Sequence, residues 1–261
     1  MRCPWRLRRA ALACAAGAAL AAAAPAPSPA AATVVLRGHP QVVRLYGTRG
    51  AGPPAIVSSG DGGWMHLGPH VAELLAARGF FVVGFDARAY LEAFTSGTTT
   101  LRPQDEPVDY RTLVDFAARG ASARPILVGV SEGAGLSVLA AADPATKPLI
   151  RGVVTLGLPD RNELGWHWRD ALIYVTHGVP DEPAFRARDV VGGVAPVPLA
   201  AIHSTHDEFV PLAEARDIFA HAGSPSRFWT VPARDHRFSD SRDVFEADLV
   251  EALAWSTRST T

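Results

Sequence analysis

A serine flanked by glycines is the residue whose surroundings point most directly to chemistry. Residues 129–133 read GVSEG, which matches the pattern G-x-S-x-G with Ser131 at its centre. The apolar run 125–128 precedes the motif, and the helix-like run 134–140 follows it. A serine in a tight turn between a buried strand and a helix has its hydroxyl held exposed above the sheet, where it can act as a nucleophile. The sequence therefore predicts a nucleophilic serine at position 131.

An acid and a base follow the serine along the chain. Asp207 comes just after a predicted strand, and His236 lies between the last predicted strand and the last predicted helix. The order Ser, Asp, His is that of the α/β-hydrolases. We predict that His236 takes the serine proton as general base and that Asp207 orients its imidazole. The alternatives are Glu208 as the acid, Asp207 as a helix cap and His236 as an ordinary surface residue.

A glycine-rich loop after an early predicted strand suggests the oxyanion hole. Residues 59–64 read SGDGGW. Backbone N–H groups must point at the developing alkoxide, and glycine lets the main chain approach it. We assign one donor to Gly62 or Gly63 and the other to the N–H of Glu132. A phosphate-binding loop is disfavoured because no Gly-Lys-Ser/Thr follows, and a plain glycine-rich turn is the remaining alternative.

Five further side chains are predicted to contact the substrate. They lie in segments expected at the carboxyl ends of strands, where ligands bind in open α/β sheets. They are Asp61, Trp64, Tyr90, Trp166 and Trp168. Core packing would explain the four aromatic residues equally well.

The histidines raise the question of a metal site. His203, His206 and Asp207 are close in sequence, and His167 or His236 could add a third imidazole. These residues lie at a strand end, where the spacing does not force their side chains to converge. We therefore expect neither a metal nor a cofactor.

Alternating β-rich and helical segments predict an α/β fold, with a mostly parallel sheet flanked by helices on both faces. The predicted strands are 33–36, 42–46, 54–58, 80–85, 125–128, 152–156, 198–202 and 228–231, and the first two form an antiparallel pair. The predicted helices are 70–78, 108–119, 134–140, 212–222 and 244–255. The irregular stretch 159–196 is predicted to be a small cap-like insertion.

The N-terminus has the features of a secretory signal peptide. Four arginines precede an Ala/Leu-rich run and then an Ala/Pro-rich tract, so we assign residues 1–32 to a signal peptide and leader and 33–261 to one domain. An uncleaved signal anchor is the alternative. Both cysteines, Cys3 and Cys14, would be removed. Without the four arginines, 21 basic residues face 26 acidic ones, a net charge of −5 that disfavours a nucleic-acid partner.

Residues 60–64, GDGGW, together with the export signal and the predicted triad, resemble the VirJ-type (AcvB/VirJ) bacterial virulence proteins, which are periplasmic α/β-hydrolases. The resemblance implies an α/β-hydrolase fold and, as one candidate substrate, the aminoacyl ester of lysyl-phosphatidylglycerol. The chain departs from the group at 131–135, which read SEGAG where SFGAD is expected. It departs again at 86–90, DARAY, where Asp-Ser is usual.

These features together predict a periplasmic or secreted serine hydrolase that cleaves a small or lipid-linked ester, an aminoacyl-phospholipid being one candidate. The alternative is a catalytically silent, hydrolase-like binding module of the cell envelope, since a fold does not fix a function. The expected partner is the ester itself, with a transient membrane-surface contact left open. The oligomeric state is also open.

Overall fold

The computed structural model describes residues 29–95, 101–167 and 183–258. Its main sheet has eight strands in the order β1-β2-β4-β3-β5-β6-β9-β10, and a separate two-stranded sheet is formed by β7 and β8. The strands are β1 Ala30–Leu36, β2 His39–Tyr46, β3 Pro54–Ser58, β4 Phe81–Phe85, β5 Ile126–Val130, β6 Gly152–Leu156, β7 Arg161–Glu163, β8 Ala184–Arg186, β9 Leu199–Ser204 and β10 Ser226–Val231. From β4 to β10 all pairings in the main sheet are parallel, whereas β1–β2 and β2–β4 are antiparallel.

Helices connect the parallel strands. They are α1 Leu67–Ala77, α2 Ala87–Phe94, α3 Glu106–Ala118, α4 Glu132–Ala142, α5 Ala187–Val190, α6 Leu212–Ala220 and α7 Arg242–Arg258. Two short 3₁₀ turns span Lys147–Leu149 and Val191–Val194. Within the described part of the chain, no helix combines the length and apolar character needed to cross a membrane.

The sheet is buried on both faces. Successive strand residues point to opposite faces, so Ile56 packs with one apolar core while Ala55 and Val57 pack with another. The first core contains side chains of α2, α3 and α4, and the second contains side chains of α1 and α7. This arrangement confirms the predicted α/β architecture, with helices on both faces of a mostly parallel sheet.

Three local features differ from the sequence-based expectation. Residues 87–94 form α2 rather than a loop, because Asp86 caps the helix by accepting a hydrogen bond from Ala89 N at 3.2 Å. The stretch 159–196, expected to be irregular, contains the antiparallel pair β7–β8. Strand β1 begins at Ala30, three residues earlier than expected, so the end of the proposed leader pairs with β2. The boundary at residue 32 stays a prediction.

The turn from β5 into α4 is packed against the end of β3. A Cβ atom at Gly133 would overlap the carbonyl oxygens of Ser58 and Ser59, and one at Gly129 would overlap the backbone of the following turn. Both overlaps are with backbone atoms, which cannot move aside as a flexible side chain can. Glycine is therefore required at these two positions so that strand, turn and helix can approach closely.

We expect Gly133→Ala to destabilise the protein by about 1–3 kcal/mol or more, because of this overlap. The sign of the change in unfolding free energy separates this overlap from helix propensity, because alanine in place of glycine inside a helix normally stabilises by about 1 kcal/mol. Gly62→Ala is the matched control, because a Cβ there would meet nothing within 4 Å. Urea unfolding of the three proteins checks the prediction, and equal stability of Gly133→Ala and wild type would contradict it.

Candidate active site

Ser131 occupies the turn between β5 and α4 in a strained backbone conformation. Its φ is 50° and its ψ is −118°, and its N–H donates to Leu156 O at 2.9 Å. Positive φ is unfavourable for a residue with a Cβ, and such strain clusters at functional sites. A Cβ built on Gly60 would lie 3.2 Å from Ser131 Cβ. The loop after β3 therefore passes directly beside the serine side chain.

Asp207 and His236 are joined by a short hydrogen bond. His236 Nδ1 lies 2.6 Å from Asp207 Oδ2, and the Asp207 side chain is fully buried. The other carboxyl oxygen accepts the N–H groups of Phe209 and Val210, each at 2.9 Å. Burial alone would raise the Asp207 pKa, but the hydrogen bond from His236 and the two N–H groups hold that pKa below its ordinary value. The carboxylate is thus built to stay charged and to orient the imidazole.

The alternative acid, Glu208, has a different position. Its Oε2 accepts the backbone N–H of His236 at 2.7 Å, so it fixes the main chain of the base rather than its ring. The ring of His236 lies against Gly157, where any Cβ would overlap it. On its other side the ring of Phe209 meets it edge-on, with centroids 5.6 Å apart. The imidazole is therefore confined from several directions.

Ser131 and His236 line the same small cleft, which has a cavity volume of about 70 Å³ and is open to solvent. Gly60, Gly62 and Gly63 also line it, as expected of an oxyanion loop. Gly63 N–H, however, donates to Gly60 O at 3.0 Å within the loop. That bond leaves Gly62 as the stronger of the two predicted donors.

Glu132, the first residue of α4, has a buried side chain beside the serine. One of its oxygens, Oε1, has no hydrogen-bond partner among the described residues. Burial, followed by the charges of Glu163 and Asp61, raises the Glu132 pKa well above its ordinary value. Burial raises the Glu163 pKa too, and the charge of Asp61 adds to that rise, so Asp61, Glu132 and Glu163 lie close enough to interact. Because Glu132 N–H is at the start of the helix, it also has the position expected of an oxyanion donor.

Two of the predicted substrate-contact residues serve the fold instead. The indole of Trp64 covers Gly84, where a Cβ would overlap the ring, and its Nε1 donates to Tyr46 OH at 3.2 Å. Tyr90 is fully buried on α2, and its hydroxyl donates to Asp109 Oδ2 at 2.7 Å. The prediction that Tyr90 lines a substrate pocket is therefore wrong. Trp64 borders a second groove rather than the Ser131 cleft.

The other two tryptophans give one correction and one open prediction. Trp166 is only 8% exposed and packs in the main core, with the guanidinium carbon of Arg88 3.7 Å from its ring centroid. It is not among the described residues that line the Ser131 cleft, so its predicted role as a pocket wall is corrected to packing. Trp168 lies outside the described residues, and its predicted role stays a prediction.

The histidines considered as metal ligands are directed elsewhere. His203 is buried, and its Nε2 lies 2.8 Å from Val210 O. His206 instead shares a hydrogen bond with Thr205. Across residues 29–95, 101–167 and 183–258, no group of three or more His, Cys, Asp or Glu side chains is placed to hold a metal ion.

Five cleft residues escaped the sequence analysis, namely Met65, His66, Leu67, Phe209 and Arg237. Met65 and Phe209 are 51% and 48% exposed. His66 has φ 56° and ψ −111°, close to the values at Ser131. Its place two residues after the GDGGW motif, just before a helix, was a signal that could have drawn attention to it. Phe209 offered no comparable signal, because loop sequence does not reveal where a side chain points.

Residues 54–170 match the model of the VirJ family, described as "Bacterial virulence protein (VirJ)". The resemblance noted from the sequence is confirmed over that segment. It contains the glycine-rich loop and Ser131, whereas Asp207 and His236 lie outside it. A search of curated proteins finds no match.

Solved structures share the fold at low sequence identity. The α/β hydrolase GrgF from Penicillium sp. sh18 has a TM-score of 0.64 at 12% identity, covering 89% of this chain and 99% of its own. Est1E from Butyrivibrio proteoclasticus has a TM-score of 0.62 at 15% identity, covering 86% and 99%. The esterase domain of a Rhodothermus marinus protein has a TM-score of 0.59 at 20% identity, covering 88% and 98%. The chain thus has the α/β-hydrolase fold.

The raised pKa of Glu132 predicts how the stability of the protein changes with pH. A carboxyl group whose pKa is raised on folding contributes stability that is full below the unfolded value, near 4.5, and is lost as the pH rises through the folded value. We therefore expect wild type to lose stability relative to Glu132→Gln as the pH rises above 4.5. Urea unfolding at several pH values measures the difference. Glu73 is exposed, so Glu73→Gln is the control. A difference in unfolding free energy between wild type and Glu132→Gln that does not change with pH would contradict the prediction.

Proposed function

We propose that this chain, whose residues 54–170 match the VirJ family, is a serine hydrolase that cleaves an ester through an acyl-enzyme. The observation that carries the proposal is the 2.6 Å contact between His236 Nδ1 and Asp207 Oδ2, in a cleft that Ser131 also lines. The strained elbow at Ser131 and the adjacent glycine loop support the same assignment.

In the proposed reaction, Ser131 Oγ attacks the ester carbonyl carbon while its proton passes to His236 Nε2. The resulting alkoxide is stabilised by the N–H groups of Glu132 and Gly62. Collapse of this intermediate breaks the bond between the carbonyl carbon and the alcohol oxygen, and His236 returns its proton to the departing alcohol. Water, deprotonated by the same imidazole, then attacks the acyl-serine carbonyl carbon. The bond from that carbon to Ser131 Oγ breaks, the acid is released, and His236 returns the proton to Oγ. Asp207 stays charged throughout and stabilises the imidazolium.

The proposed substrate is a small or lipid-linked ester met outside the cytoplasm. Export is proposed from the arginine-containing start of the chain and the Ala/Leu-rich run that follows it. An aminoacyl-phospholipid is one candidate, supported by the VirJ match and by the carboxyl groups of Asp61, Glu132 and Glu163. A cationic substituent placed among them would favour their charged forms.

Active-site labelling tests the nucleophile. A fluorophosphonate probe should label the wild-type protein and the control Ser226→Ala, but not Ser131→Ala, because the probe reacts only with an activated serine. His236→Ala and Asp207→Asn should lower turnover of a short ester by about 10⁴-fold or more.

Circular dichroism must show that each variant keeps its fold. Labelling of Ser131→Ala equal to that of wild type would remove the proposed role of Ser131. Folded but unlabelled wild-type protein would favour the binding-module alternative.

The preference between bond types is a separate prediction. We expect kcat/KM for short esters to exceed that for endopeptide cleavage of an unstructured protein. The reason is that the cleft is bordered by Met65, His66 and Phe209 and suits a compact group rather than a long chain. Both activities are measured on the same preparation, with Ser131→Ala as the blank for contaminating enzymes. A higher endopeptidase value that disappears in Ser131→Ala would overturn the assignment.

A further inference from the structure

The mouth of the Ser131 cleft carries two exposed apolar side chains. Among the described residues, the exposed large apolar side chains are Val35, Val42, Met65, Val108, Phe209 and Val244. Met65 and Phe209 are the two of these that line the cleft. Leu67 and Val130, both buried, give the cleft further apolar lining. An apolar group bound here would remove this surface from water, which is the usual source of affinity in a small-molecule pocket.

Both exposed side chains are anchored through their backbones. Met65 N donates to Gly63 O at 2.8 Å, so Met65 is carried by the glycine-rich loop. Phe209 N donates to Asp207 Oδ1, so Phe209 is carried by the loop of the triad acid. The side chains of Met65 and Phe209 therefore belong to the same two loops that form the proposed catalytic machinery. An apolar group bound between these side chains would have a fixed position relative to Ser131 and His236.

The position of Phe209 indicates which part of the ester would lie here. Its ring contacts the ring of His236, whose Nδ1 is occupied by Asp207. The remaining nitrogen, Nε2, must deliver the proton to the departing alcohol oxygen. The alcohol portion of the substrate thus lies on the His236 side of the scissile bond, beside Phe209. The carboxyl groups around Glu132 lie beside the start of α4.

We propose that Met65 and Phe209 form a subsite for an apolar alcohol portion of the substrate, so that this enzyme selects esters by their alcohol chain. The inference rests on the proposed serine hydrolase function. It deepens that function by naming the leaving group as an alkyl alcohol, or as an alcohol with an apolar group next to the ester oxygen. Arg237 is exposed and also lines the cleft, so it can contact the part of the alcohol that extends beyond the apolar group.

Two series of esters test the subsite. One is alkyl acetates with alcohols of one to eight carbons, and the other is methyl esters of acids of two to eight carbons. We expect kcat/KM to rise by up to about fourfold for each buried methylene of the alcohol, until the chain leaves the cleft, with a weaker dependence on acid length. Phe209→Ala and Met65→Ala should flatten the dependence on alcohol length. Val42→Ala, an exposed apolar residue of β2, is the control that should leave it unchanged.

Each outcome decides a different point. The ratio of octyl to methyl acetate within one variant cancels any general loss of turnover, and fluorophosphonate labelling of Ser131 in every variant shows that the nucleophile works. Absence of labelling in the wild-type protein would contradict the proposed function itself. If labelling is intact, a dependence of kcat/KM on alcohol length that is unchanged in both variants would contradict the subsite alone. A dependence of kcat/KM on acid length only would also contradict the subsite alone. The subsite would also be contradicted if the two substitutions reduced binding to phosphatidylglycerol vesicles without changing the dependence of kcat/KM on alcohol length.

Discussion

The close backbone contact between the end of β3 and the start of α4 is the constraint on which the rest of the site depends. Gly133 lies so near the carbonyl oxygens of Ser58 and Ser59 that any Cβ there would overlap them. This contact joins two features that are about 70 residues apart in sequence, the glycine-rich loop and the nucleophile turn. It brings Gly60 beside Ser131 and leaves the serine N-terminal to α4, where backbone N–H groups have no intrahelical partners. One packing contact therefore positions both the proposed nucleophile and the proposed oxyanion loop.

The positions of Asp207 and His236 depend on strand order. Ser131 follows β5, Asp207 follows β9 and His236 follows β10, in the sheet order β5-β6-β9-β10. Neighbouring strands are about 4.8 Å apart, so β10 lies roughly 14 Å from β5 and the histidine loop must return across β6. Gly157, at the end of β6 with φ 65°, leaves the space that the imidazole occupies. Its role was not evident from sequence, because the requirement comes from a residue 79 positions away.

The sequence predicted what depends on local pattern and missed what depends on side-chain direction. The apolar strands, the glycine-flanked serine and the order of acid and base are repeating or short-range signals, and every strand predicted for the main sheet forms. The eight-residue α2 is absent from the predicted helices because its pattern is short and its start depends on the cap supplied by Asp86. Trp64 and Tyr90 were placed near substrate because they follow strand ends. Their rings turn instead toward Gly84 and the buried Asp109, partners that become adjacent only in the folded sheet.

Several features that oppose stability lie at the cleft. Ser131 and His66 both have positive φ, Glu132 is buried with an unpartnered oxygen, and Met65 and Phe209 expose apolar surface to water. Each is unfavourable by itself, and strain of this kind is commonly found at functional sites. A binding module with this fold would have no chemical need for a strained serine in the same cleft as an imidazole that is hydrogen-bonded to a carboxylate. The proposed serine hydrolase does need this arrangement, because its serine must project, its base must be confined and the walls of its cleft must remain open to substrate.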